Sequence, residues 1–142
     1  MQASTSPLSI SHISKTYQKQ VVLDDVSFAV EPNEIFGLIG LNGVGKTTLI
    51  KTILQLTKAD AGGVAIAGVP AHLIQSRYNL AYLPEKFQPS KYLTGFEYLE
   101  LTLSYYGKTL DKQIAREQAS KFSLAPEKLS QKISSYSKGM SQ

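Results

Sequence analysis

Residues Ile35 to Ile53 read IFGLIGLNGVGKTTLIKTI. The fold turns on this stretch. Its first part, IFGLIGL from Ile35 to Leu41, is a short unbroken apolar run that follows the turn-forming EPNE. Such a run predicts a strand buried on both faces, as in a parallel sheet. Its second part, Gly40-Leu41-Asn42-Gly43-Val44-Gly45-Lys46-Thr47, fits the pattern G-x-x-x-x-G-K-[ST]. At this composition the pattern arises by accident in about one such chain in a hundred. A helix is expected from about Gly45 to Gln55, with Leu49, Ile50, Ile53 and Leu54 as its apolar side chains. Strand, glycine loop and helix in that order are the context the pattern requires.

The residue types suit a triphosphate. Glycines let the backbone curl so that successive N–H groups point inward. The helix that follows adds unpaired N–H groups and the positive end of its dipole. Lys46 supplies a point charge for the β- and γ-phosphates, and the Thr47 hydroxyl is a hard oxygen ligand for Mg²⁺.

Upstream, LSISHIS alternates apolar and polar residues and reads as a strand. VVL and VSFAV, around Asp24 and Asp25, read as two short strands or one bent strand. The first residues, MQASTSP, look like a loose polar start. Downstream, KADAGGVAIAGVP reads as turn, strand, turn, and LAYLPE as a second short apolar strand stopped at Pro84. Thr94 and Glu97 are spaced as a capping box. Phe96, Leu99, Leu103 and Tyr106 then mark one helical face, and Gly107 a stop. A further helix is expected from Asp111 to Phe122. The order predicts an α/β protein with a helical subdomain.

The bulk numbers exclude several classes. A chain of 142 residues, 42% hydrophobic and 18% charged, reads as one ordinary soluble domain. Its apolar runs fall far short of a membrane span, and no secretory leader is legible. With no cysteine there is neither a disulfide framework nor a thiolate metal site. The net charge of +4 comes from scattered lysines, which read as a solvated surface rather than a nucleic-acid stripe. His12 and His72 read as surface or strand-edge residues.

With these segments in order, the chain resembles the ATP-binding subunits of ABC transporters, from about Leu8 to Gln142. ISKTYQKQVVLDDVSFAV resembles the family's N-terminal strands, with Tyr17 where an aromatic stacks on adenine. PNEIFGLIGLNGVGKTTLIKTI resembles its Walker A loop and helix, and DAGGVAIAG the small hairpin that follows. LAYLPEKFQPSKYLTGFEYL resembles its Q-loop region, and YSKGM, Tyr136 to Met140, its signature motif, usually written LSGGQ.

The resemblance implies a partial P-loop NTPase core, an N-terminal antiparallel β part and a partial helical subdomain. Residues 8–85 would be the ATP-binding core and 86–142 the helical subdomain up to the signature. It implies ATP and Mg²⁺ as ligands. ATP would lie on Tyr17, Gly40, Leu41, Asn42, Gly43, Val44, Gly45, Lys46, Thr47 and Thr48, and the metal near Thr47 and Glu85. Ser137 and Gly139 would contact ATP held by a second ATP-binding subunit. A membrane-spanning permease is the other implied partner, with the protein on the cytoplasmic face of the membrane and no nucleic acid involved. The family's acidic Mg²⁺ strand, catalytic glutamate and switch histidine are expected after Gln142, so no catalytic residue is assigned here. The 142 residues alone are expected to bind ATP without turning it over.

Two departures stand out. Glu85 occupies the family's usual glutamine position, and in YSKGM only Ser137 and Gly139 keep the usual letters. Both variants resemble a branch associated with export. A soluble ABC-type ATPase of ribosomes or DNA repair, and a non-hydrolysing fragment, remain alternative readings.

Overall fold

A computed structural model describes residues 6–78 and 80–141. Most of the expected loose start, 1–7, therefore lies outside the described residues. The chain folds as two units, Met1–Ala81 and Tyr82–Gln142.

The first unit is built on a four-stranded antiparallel sheet of order β2-β1-β3-β4. Strand β1 spans Leu8–Tyr17, β2 Gln20–Val30, β3 Ala61–Ile66 and β4 Val69–Pro70. The β1–β2 turn is Gln18-Lys19, with φ of 45° and 71°, and the β3–β4 turn is Ala67-Gly68, with φ of 49° and 77°. Two successive left-handed residues make the tight turn whose twist matches a right-twisted hairpin. VVL and VSFAV form one strand, β2, bent at Asp25, which has φ 48°. His12 on β1 has φ 53°, and its Nδ1 lies 2.6 Å from Asp25 Oδ1. Both side chains are exposed, in keeping with a strand-surface role for His12. His72 is exposed as well.

Helix α1, Lys46–Ile53, covers one face of this sheet. Leu49 packs with Ile10, Ile13 and Leu23 as the buried core, ringed by Val26, Phe28, Ile53 and Val64. Truncating a buried leucine of this kind costs about 2–5 kcal/mol.

The run Ile35–Leu41 does not form the doubly buried strand its sequence predicts. It carries no strand structure, and Ile35, Ile39 and Leu41 are 99%, 94% and 80% exposed. A buried parallel strand exists only between hydrogen-bonded neighbours. Among the described residues no strand pairs with it. Phe36 holds one point of the run, stacked on Phe28 of β2 with ring centroids 4.7 Å apart. The expected strand in LAYLPE is not formed either, and Tyr82 and Leu83 are exposed for the same reason.

The second unit is helical. Helix α2 spans Gly95–Ser104 and α3 Lys112–Lys121. The Thr94–Glu97 capping box is formed in both directions: Glu97 N donates to Thr94 Oγ1 at 3.2 Å, and Thr94 N to Glu97 Oε2 at 2.7 Å. These bonds hold the Glu97 carboxyl below its ordinary value, the Thr94 backbone N–H first among them. Asp111 caps α3 by accepting from Gln113 N and Ile114 N. Phe96, Ala119 and Leu129 form the small buried core between these helices and the 3₁₀ turn Pro126–Ser130.

Candidate functional site

Two glycines shape the loop between Gly40 and α1. Gly43 has φ 87° and Gly45 φ 100°, a region that side-chain-bearing residues rarely adopt. Gly45 is also squeezed. A Cβ there would lie 2.7 Å from the Val22 carbonyl oxygen and 3.1 Å from Leu23 Cδ2. The loop is therefore seated directly on β2.

Lys46 is the first residue of α1, and its ammonium folds back into the loop. Nζ donates to the Gly40 carbonyl at 2.6 Å and the Leu41 carbonyl at 2.7 Å. The start of α1 has no side-chain cap and no acidic residue in its first turn. Its N–H groups and dipole are thus offered to an anion without internal competition. Glycine-shaped backbone, a lysine ammonium and an uncapped helix start fit a polyphosphate. Thr47 and Thr48 follow on the first turn, with Thr47 exposed and Thr48 half-buried. The Thr47 hydroxyl is the donor type that suits Mg²⁺.

Tyr17 stands at the end of β1, paired with Gln20 across the tight turn, and is 45% exposed. Val22, on which Gly45 rests, lies on the β2 side of this hairpin end. One hairpin therefore carries the aromatic ring and seats the glycine loop. The structure brings Tyr17 and residues 40–48 into the first unit. Glu85, Ser137 and Gly139 belong to the second. Glu85 is exposed in a turn. Ser137 caps the single turn α4, Lys138–Ser141, and Met140 N approaches its Oγ at 3.3 Å. Gly139 has open space around it.

Two side chains beside Tyr17 escaped the sequence reading. Lys15 Nζ lies 5.2 Å from the centre of the Tyr17 ring and 2.6 Å from Asp60 Oδ1. The Lys15 hydrogen bond, followed by that from Thr16 N, holds the Asp60 carboxyl below its ordinary value. The two-residue spacing of Lys15 and Tyr17 on a strand was a legible signal. Asp60, 45 residues away, gave none.

Residues 23–142 match the family model of the ABC transporter. A Nod factor export ATP-binding protein I of Burkholderia pseudomallei (strain 1710b) is 35% identical over 75% of this chain and 36% of that protein. The ABC-type transporter ATP-binding protein EcsA of Bacillus subtilis is 38% identical over 77% of this chain and 46% of its own length. The lipopolysaccharide export system ATP-binding protein LptB of Haemophilus influenzae is 35% identical over 80% of this chain and 48% of its own. The chain thus spans less than half the length of these relatives. A solved ATP-binding subunit of an ABC transporter superposes with a TM-score of 0.81 at 34% identity, covering 96% of this chain and 58% of that one.

Proposed function

The chain belongs to the ABC transporter family, and on that premise we propose that it serves as the ATP-binding subunit of a membrane exporter. In this reading the whole protein couples ATP binding and hydrolysis to transport. The observation that carries it is the Gly40–Thr47 loop, with Lys46 held inside it and Gly45 seated on β2.

Residues 8–85 are the ATP-binding core and 86–142 the helical subdomain. The loop N–H groups and Lys46 bind the phosphates, and Tyr17 stacks on the adenine. Thr47, and Glu85 in the whole protein, would hold Mg²⁺, which would neutralise phosphate charge. Ser137 and Gly139 face ATP on a second ATP-binding subunit. A membrane-spanning permease holds the pair at the cytoplasmic face. Among the described residues no helix is long and apolar enough to cross a membrane. Export is favoured because two of the relatives carry export in their names.

The test is titration with a fluorescent ATP analogue. Lys46→Ala should weaken binding about ten- to a hundredfold, the loss of one charge-assisted contact of about 1.5–3 kcal/mol. Equal affinities would overturn the assignment of the loop. Co-purification of a membrane-spanning protein from cells tests the transporter role separately.

A further inference from the structure

We propose that Lys15, clasped by Asp60, is a positioning residue that fixes the Tyr17 ring and thereby sets affinity for the nucleotide base. The inference rests on Tyr17 being the adenine platform, as proposed above.

Strand β1 outruns its neighbour. Its last partner on β3 is Ser14, opposite Ala61, so Lys15, Thr16 and Tyr17 project past the end of that ladder. The pairing with β2 is irregular at the same place, with register shifts between Ile13 and Lys15 and between Lys15 and Thr16. A hairpin end held on one irregular side should fray.

Asp60 replaces the missing strand. Its backbone N–H donates to the Ser14 carbonyl at 2.9 Å. One carboxylate oxygen accepts from Thr16 N at 2.7 Å and the other from Lys15 Nζ at 2.6 Å. One residue thus grips the three positions that precede Tyr17. The lysine is held in turn: its side chain is only 14% exposed, unusual for a residue type that normally extends into water.

Fixed there, the ammonium lies 5.2 Å from the Tyr17 ring centre, within the range of cation–π attraction. The ring is therefore ordered before a base arrives, so stacking costs less conformational entropy. A base stacks on the ring, whereas the phosphates bind at the glycine loop. Lys15 should therefore affect ATP and leave inorganic tripolyphosphate alone.

The experiment measures competition by ATP and by tripolyphosphate against a fluorescent nucleotide. It compares the wild-type protein with Lys15→Met, Lys15→Arg, Asp60→Asn, Tyr17→Leu and the double variant Lys15→Met/Tyr17→Leu. Lys15→Met and Asp60→Asn should each weaken ATP about three- to tenfold with tripolyphosphate unchanged. Lys15→Arg keeps both the cation and the ion pair and should restore ATP affinity. In the Tyr17→Leu background, Lys15→Met should have no further effect. Wild-type ATP affinity in Lys15→Met, beside a clear loss in Tyr17→Leu, would overturn the proposal and spare the platform reading. An undiminished Lys15→Met loss in the Tyr17→Leu background would overturn it too, as would a parallel loss of tripolyphosphate. Wild-type affinity in Tyr17→Leu would overturn the platform reading itself, and this proposal with it.

Discussion

The Val22 carbonyl oxygen occupies the space where a side chain on Gly45 would begin, 2.7 Å from an ideal Cβ. The same glycine has φ 100°, so any other residue is strained twice, by conformation and by contact. Backbone held in a left-handed region costs about 1–3 kcal/mol for a residue with a Cβ. Because the opposing atom is backbone, it cannot rotate away. Gly45→Ala should therefore lower stability by at least about 1 kcal/mol and weaken ATP, since relief requires the loop to leave β2. Urea denaturation and ATP titration read both effects. An alanine variant as stable and as tight-binding as the parent would mean that the close approach is not needed.

The Asp60 clasp should be visible in the pH dependence of stability. Its carboxyl titrates below the ordinary value of 3.8, because Lys15 and Thr16 N favour the charged form. The folded value is thus depressed relative to the unfolded one. Its contribution is present above 3.8 and is lost as the pH falls from there through the lower folded value. The stability difference between the parent and Asp60→Asn should be constant near about pH 7 and shrink towards about pH 3. A difference that stays the same across that range would mean that the carboxylate charge contributes nothing.

Glu85 gives a third expectation. Its side chain is exposed in a turn and takes part in no packing of the second unit's core. Glu85→Gln removes a negative charge without changing size, so the fold should be unaffected. In the whole protein, on the proposed metal-site role of Glu85, ATP hydrolysis should persist or rise, because the substitution removes a negative charge that would repel the γ-phosphate. Phosphate release measured at saturating Mg-ATP decides the matter. A complete loss of turnover with ATP binding retained would make Glu85 an indispensable ligand of metal or water.

The local elements were legible because neighbouring residues determine them. The Thr94–Glu97 box, the helix after Asp111 and the glycine loop all depend on residues within a few positions of one another. Strand β1 showed through its alternation. Ile35–Leu41 shows where such reading stops. Its apolar letters encode a capacity for burial, but strand structure needs a partner, and a partner is a property of other segments. Asp60 shows the same limit at a side chain: nothing near it in sequence reveals that it meets Lys15 and Thr16 across the fold. The left-handed Gln18-Lys19 turn was hidden for a different reason. Its residue types tolerate that conformation without requiring it.

Tyr136 stands at the first letter of YSKGM and ties this segment to the start of α2. Its hydroxyl donates to the Lys128 carbonyl at 2.6 Å. The same oxygen would lie 2.5 Å from a Cβ on Gly95, and Leu129 Cα 3.0 Å from it. Gly95 is thus the space in which Tyr136 is seated. Gly95→Ala should push the ring off the Lys128 carbonyl and loosen the contact with Leu129, one of the buried core residues. Overpacking of this kind costs about 1–3 kcal/mol. Tyr136→Phe keeps the ring and removes only the hydroxyl, leaving the Lys128 carbonyl without that donor, a loss of about 1 kcal/mol. Burial pushes the Tyr136 hydroxyl up from its ordinary value of 10.0. The neutral phenol is therefore the folded form, and its contribution is complete below 10.0 and lost as the pH rises through the higher folded value. Urea denaturation of the two variants and the parent at neutral pH should rank the parent first, then Tyr136→Phe, then Gly95→Ala. In Gly95→Ala/Tyr136→Phe the alanine should cost less than it does alone, because the hydroxyl that it meets is gone. Additive losses in the double variant would show that the crowding at Gly95 comes from the Leu129 backbone and not from the tyrosine.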